Sequence, residues 1–110
     1  IVYGCVEPEP LVLSACLNAG VAGLVFTGTG AGQLSVAERS VLEAWPGQRP
    51  LMLRAARCGS GPVHRNPEDE QLDVLPAGSL NPQKARVLLL LAVLAGWDRN
   101  QLKALITASP

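Results

Sequence analysis

Apolar stretches of strand length alternate along this chain with segments whose apolar residues recur every three or four positions. That alternation is the mark of βαβ units around a parallel sheet. Residues 1–5, 23–27 and 51–56 are apolar runs that predict strands, and a shorter strand is expected at residues 72–75. Between them, Leu11, Val12, Cys16 and Leu17, with Ala15 and Ala19, fit a helix closed by Gly20. Ser35 and Glu38 have the spacing of a capping box and open a helix that runs to about Trp45, where Pro46 and Gly47 stop it. A third helix starts at Asn81, whose side chain can accept from the free N–H groups of the first turn, with Pro82 where no N–H is missed. The apolar run of residues 87–95 follows, ended by Gly96, and Asp98 with Gln101 caps a last helix through Leu102, Leu105 and Ile106. Because the 87–95 run is apolar on every face and too short to span a bilayer, it is expected to lie between the sheet and another layer of the same protein. The pattern therefore predicts a small three-layer α/β domain with a mainly parallel sheet of about four strands flanked by helices.

Residues 57–70 break the pattern with glycine, proline and charge, a loop of a length that is usually functional or flexible. Right-handed crossovers would bring residues 6–9, 28–33, 57–70 and 76–80 to one edge of the sheet, beyond the strand C-termini, where ligands bind in such folds.

A length of 110 residues sets one domain with a single core, small for an enzyme that holds a complete cleft. Nine basic and nine acidic residues cancel. No net field is left to hold a nucleic acid or an acidic membrane surface. Ile1, Val2 and Tyr3 already read as a strand with no initiator methionine, so a segment upstream is expected to have been removed. Cys5, Cys16 and Cys58 are odd in number, and two lie in apolar segments; this favours buried thiols over a disulfide framework and is compatible with a reducing compartment such as the cytoplasm. An export signal would lie upstream of Ile1, so the sequence does not decide between cytoplasm and periplasm.

Several residues carry candidate chemistry. The turn Gly28-Thr29-Gly30-Ala31-Gly32-Gln33 lets the backbone approach a ligand, yet it satisfies the dinucleotide pattern G-x-G-x-x-G in neither frame: the sixth position is Gln33 counting from Gly28 and Ser35 counting from Gly30. A tight turn without a ligand accounts for it equally well. Thr27 and Thr29 lack a base close in sequence, so neither is a nucleophile on this evidence. Lys84, at a helix start, is expected to be structural. His64, the one histidine, reads as a surface imidazole in a polar loop. Glu68, Asp69 and Glu70 read as a solvated acidic cluster. Arg54 and Arg57 flank a strand end, as interface ion-pair partners or as a solvated edge, and Trp45 and Trp97 read as packing residues.

Three strings, in this order along the chain, change the odds: the turn at residues 28–33, Asn66-Pro67-Glu68, and Leu80-Asn81-Pro82-Gln83-Lys84-Ala85-Arg86 with the leucine run behind it. Together they resemble the C-terminal domain of bacterial-type (type II-like) L-asparaginases over nearly the whole chain. The last string is the specific one; a glycine-rich turn after a strand is common. The resemblance implies an amidohydrolase that converts L-asparagine to L-aspartate and ammonia through a threonine hydroxyl and an acyl-enzyme, with no metal or cofactor. It implies further that the two threonines, the lysine and the aspartate of catalysis belong to an N-terminal domain absent from this chain, so no catalytic residue is carried over. By the same resemblance Glu68 accepts from the substrate's α-ammonium group across a subunit interface. Gln33, where the family commonly has Asn or Ser, reaches a neighbouring subunit's site. The partners so implied are the N-terminal domain and further copies in a dimer or tetramer. Two other classes stand beside this reading: a non-catalytic assembly module or degenerate homologue, and a small-molecule domain that uses the glycine turn for a phosphate.

Overall fold

The computed structural model describes residues 1–3, 11–28, 34–56, 63–64 and 66–108. Four parallel strands lie in the order of the chain: β1 (Val2–Tyr3), β2 (Gly23–Gly28), β3 (Leu51–Ala56) and β4 (Val74–Pro76). Their register places Val2 beside Phe26, Val25 beside Leu53, and Leu53 beside Leu75. The helices between them are α1 (Leu11–Asn18), α2 (Val36–Ala44) and the single turn α3 (Asp69–Leu72); α4 (Pro82–Leu94) and α5 (Arg99–Ala108) follow the last strand.

Alternation along the strands sorts the core into two layers. Leu24, Phe26, Met52 and Val74 pack with Leu13, Leu17, Leu42 and Leu72 from α1, α2 and α3. Val25, Leu53, Ala55 and Leu75 turn the other way, onto Ala85, Leu89, Ala92 and Leu102 of α4 and α5. Same-hand crossovers between consecutive parallel strands put the first three helices on one face, which leaves the opposite face to the helices after β4. The three-layer α/β domain read from the sequence is the fold observed. Cys16, half-buried, packs against the first layer, as do Trp45 against the first and Trp97 against the second. Cys5 and Cys58 lie outside the described residues.

The caps form as their spacing dictates. Ser35 Oγ accepts from Glu38 N (3.1 Å) while Glu38 Oε1 accepts from Ser35 N (3.0 Å), and Asp98 and Gln101 exchange the same two bonds at 2.9 Å. Asn81 Oδ1 accepts from Lys84 N at 2.8 Å, with Pro82 in the first turn. Gly96, at φ +72°, lets Trp97 N–H return to the Ala92 carbonyl and close α4. At Gly23 a Cβ would lie 2.9 Å from Leu89 Cδ2. The bare backbone there is what lets α4 approach the sheet.

Two expectations need correction. The fourth strand begins at Val74, not at residue 72: Leu72 ends α3, and Asp73 in the left-handed region (φ +57°) turns the chain into the strand. The expectation that α4 is covered on every side holds for one face only. Pro82, Ala85, Leu89 and Ala92 are buried against the sheet, whereas Val87, Leu90, Leu91 and Leu94 are exposed.

Candidate functional site

A cleft of about 200 Å³ opens on the side of the sheet that carries α2 and α3, lined by Leu34, Arg39, Arg54, Asn66, Pro67, Glu68, Asp69 and Leu72. Its floor comes from β3. Arg54 follows Met52 by two residues, so the pleat directs it to the same face as that core methionine, and it is 2% exposed. A buried guanidinium requires a carboxylate with matching geometry. Asp69 supplies it, with Arg54 Nε donating to Oδ1 (2.8 Å) and Nη2 to Oδ2 (3.0 Å), and its own side chain 7% exposed. Arg54 Nη2 also donates to the carbonyl of His64. Asp69 Oδ2 accepts from Asn66 N–H at 2.8 Å.

These bonds tie both limbs of one loop to the sheet. The His64 carbonyl holds the incoming limb, the Asn66 N–H the bend, and Asp69 the start of α3. An antiparallel bridge adds a further anchor, with Val63 N–H donating to the Gly78 carbonyl at 2.8 Å. The result is a rigid presentation of Asn66, Pro67 and Glu68 at the edge of the cleft.

Glu68 stands at the rim, with its side chain 53% exposed. Arg39, from α2, donates through Nη1 to Oε2 at 2.7 Å. Among the described residues, Oε1 has no hydrogen-bond donor. The cleft is thus electrically paired, Arg54 with Asp69 at its floor and Arg39 with Glu68 at its mouth, and the open oxygen of Glu68 is where a cation would add.

The acidic cluster does not behave as one solvated unit. Asp69 is buried and paired, which corrects the reading of a solvated side chain; the chain's return under α2 places it over Arg54. Glu70 is the surface member, bonded by Lys103 at 2.7 Å and by Arg99 at 3.2 Å. Lys103, and Arg99 beside it, hold the Glu70 carboxyl below its usual range. Arg54 is neither an interface residue nor a solvated edge, because the strand carries it inward; Arg57 lies outside the described residues. Arg39 and the pair of Arg54 with Asp69 were missed by the reading of the sequence. One signal was available: strand alternation puts Arg54 on the side of Met52.

His64 is exposed and takes part through its carbonyl, in keeping with a surface imidazole. Thr27 is buried, 1% exposed, and its hydroxyl has no partner among the described residues, so a substrate carbonyl cannot reach it. Gln33, Thr29 and the turn between them lie outside the described residues. The next residue, Leu34, is buried and lines the cleft. Among the described residues no cluster of His, Cys, Asp and Glu could hold a metal ion, and no helix is long and apolar enough to cross a membrane.

A broader hollow of about 850 Å³ lies at the other end of the strands, beside Arg49, Asp73 and Arg99. Arg49 there is already committed, to the carbonyls of Gln71 and Leu42 and to Asp73, which leaves little free charge for a ligand.

Comparison with known proteins agrees with this architecture. L-asparaginase 2 of Bacillus subtilis is 36% identical over 104 residues, which are 94% of this chain and 28% of that protein. A probable periplasmic L-asparaginase of Haemophilus influenzae is 40% identical over 93 residues, 83% of this chain and 26% of that protein. A glutaminase-asparaginase of Acinetobacter glutaminasificans is 34% identical over 108 residues, 94% of this chain and 32% of that protein. The crystal structure of a probable cytoplasmic L-asparaginase from Campylobacter jejuni superposes with a TM-score of 0.84 at 28% identity, covering 98% of this chain and 33% of that one. The chain thus spans between a quarter and a third of the length of these relatives. The glutaminase/asparaginase C-terminal domain model matches residues 1–106, and the chain belongs to that family.

Proposed function

We propose that this domain is the substrate-binding half of an L-asparaginase-type amidohydrolase, which hydrolyses L-asparagine to L-aspartate and ammonia in a cleft completed by an N-terminal domain. The observation that carries the reading is Glu68: a carboxylate at the rim of a cleft that, among the described residues, is held by one arginine with its other oxygen open. An α-ammonium group entering a water-poor cleft needs a fixed opposite charge, and a carboxylate already oriented by Arg39 loses little freedom in supplying it. Glu68 binds the α-ammonium group in this reading, and Gln33, beside the cleft-lining Leu34, reaches a neighbouring subunit's site in a dimer or tetramer. The hydroxyl nucleophile and its base come from the N-terminal domain, and no metal or cofactor takes part.

The test is to join the chain with the N-terminal half of a relative and follow ammonia release from L-asparagine and L-glutamine. The chain alone is expected to be inactive and the assembled form active. Glu68→Ala in the assembly should lower kcat/KM by about a hundredfold, the loss of a charge-assisted contact of 2–3 kcal/mol, while His64→Ala leaves it unchanged. Equal effects of the two substitutions would remove Glu68 from the site. Activity of the chain alone would refute the division of labour.

A further inference from the structure

Charge around the cleft is balanced before any ligand enters. Among the described lining residues, Arg54 and Asp69 cancel at the floor, and Arg39 and Glu68 cancel at the mouth. An ammonium group seated on the open oxygen of Glu68 therefore adds one positive charge to a neutral site. Leu34, Pro67 and Leu72 line the same space, so little water is at hand to screen that excess. A ligand that brings its own anion would restore the balance.

Arg39 is the cation placed to feel the difference. Its backbone is fixed at the start of α2, where its N–H donates to the Ser35 carbonyl at 3.0 Å just behind the capping box. Its side chain is 33% exposed, against 2% for Arg54, so it meets whatever enters. Arg54 commits Nε and Nη2 to both oxygens of Asp69. Arg39 commits only Nη1, to Glu68 Oε2; among the described residues its enclosed Nε has no partner and Nη2 has no acceptor. A guanidinium engaged at one nitrogen keeps donors and field for a second anion. Glu68, at the capping position of α3, makes no cap bond to that helix, so its carboxylate is turned out to Arg39 instead.

Building on the assignment of Glu68 to the substrate's ammonium group, on which it rests, we propose that Arg39 is a specificity-determining residue that makes the cleft select zwitterions: an amide whose ammonium group is flanked by a carboxylate is accepted, and the same amide without that carboxylate is disfavoured. Two bonds join the nitrogen of an α-amino acid to its carboxylate carbon, so the anion follows the ammonium group to within roughly 5 Å of Arg39. Across roughly that distance, screened as befits a group one-third exposed, the attraction is worth about tenfold in binding. The same guanidinium repels an ammonium group that arrives alone. Glu68 without Arg39 would read only the positive charge.

Three amides test this in the assembled enzyme, with kcat/KM followed by ammonia release: L-asparagine, 3-aminopropanamide, which lacks the α-carboxylate, and succinamic acid, which lacks the α-amino group. Arg39→Met should narrow the ratio of L-asparagine to 3-aminopropanamide by at least about tenfold. Arg39→Lys, which keeps the charge, should hold that ratio within about threefold of wild type. A merely structural Arg39 would lower both substrates alike and leave the ratio where it was, and that result overturns the proposal. Glu68→Ala separates this failure from failure of the site itself, because it should reduce turnover of L-asparagine and 3-aminopropanamide and spare succinamic acid. If Glu68→Ala spares all three, the assignment of Glu68 falls and the proposal with it. If Glu68→Ala acts as expected while Arg39→Met leaves the ratio unchanged, or Arg39→Lys narrows it as far as Arg39→Met, only the role given to Arg39 is refuted.

Discussion

Removal of Asp69 should be among the most damaging single changes to this domain. Asp69→Ala takes away both oxygens that hold the Arg54 guanidinium and leaves that cation, 2% exposed in the wild type, with only the His64 carbonyl among the described residues. It also strips the Asn66 N–H of its acceptor. Both members of the pair are almost wholly enclosed, so solvent screening gives little relief. Breaking a buried pair by deleting one partner costs roughly 3–5 kcal/mol, a fifth or more of the roughly 5–15 kcal/mol by which ordinary domains are stable. At 4–8 °C per kcal/mol for a domain near this size, Tm should fall by about 12–40 °C.

The double replacement Asp69→Leu with Arg54→Met separates the pair's own contribution from the cost of an orphaned charge. Two apolar side chains of similar bulk remove the uncompensated cation, and such exchanges are often close to neutral. Here recovery should stop short of wild type. The His64 carbonyl and the Asn66 N–H remain without partners, at about 1–3 kcal/mol for each that water cannot reach. Urea unfolding of the wild type, Asp69→Ala and the double variant measures all three, and hydrogen exchange should show faster opening of residues 63–72 in the double variant than in the wild type. A loss below about 1 kcal/mol for Asp69→Ala would contradict the reasoning, because a cation enclosed as the structure encloses Arg54 cannot be abandoned so cheaply. A double variant less stable than Asp69→Ala would contradict it too.

Two further outcomes follow from single contacts. Gly23→Ala would press a Cβ to 2.9 Å from Leu89 Cδ2 in the packed layer beneath α4, so thermal melts should show a loss of about 1–3 kcal/mol; an unchanged Tm would mean that the Leu89 side chain swings aside without loss of packing. Lys103 and Arg99 lower the pKa of Glu70 in the folded chain, so its stabilising share is full above the ordinary glutamate pKa and disappears as pH falls through the depressed folded value. Stability against pH for Glu70→Gln should therefore lie below the wild type at neutral pH and converge with it in acid, and parallel curves would dispose of the coupling.

What could be read in the sequence was what is decided within a few residues. The cap at Asn81 and the boxes at Ser35 and Asp98 require only a side chain and an N–H two or three positions away, so spacing alone located them. The positions of the strands were nearly as plain, except at β4. There Leu72, Val74 and Leu75 make one apolar run, and the turn of helix that takes Leu72 out of the strand depends on Asp69 being drawn down to Arg54. That attraction acts across fifteen residues of sequence, on one face of the sheet, and nothing near Asp69 announces it. The signal that does exist sits on the other partner: in Leu51–Ala56 the inward parity of Arg54 demands a buried anion from somewhere. The residue-by-residue reading that set Asp69 with its exposed neighbours had no means of choosing which carboxylate would answer.

The same distinction separates the two layers of the cleft. Buried charge must be satisfied inside the chain, and Arg54 with Asp69 closes that account without help from outside. Exposed charge need not be, and among the described residues Arg39 leaves Glu68 with an oxygen to spare. A residue that only held the loop together would have no reason to remain half exposed at the rim while Asp69, its neighbour, does the anchoring from beneath. Rigidity and reception are thus divided between adjacent carboxylates, and the division can be tested without any assay of turnover. Glu68→Gln should leave the unfolding free energy within about 0.5 kcal/mol of wild type, as expected for an exposed ion pair, where Asp69→Asn costs several times more. Equal losses from the two would mean that Glu68 is part of the scaffold, and the open oxygen would lose its claim to a ligand.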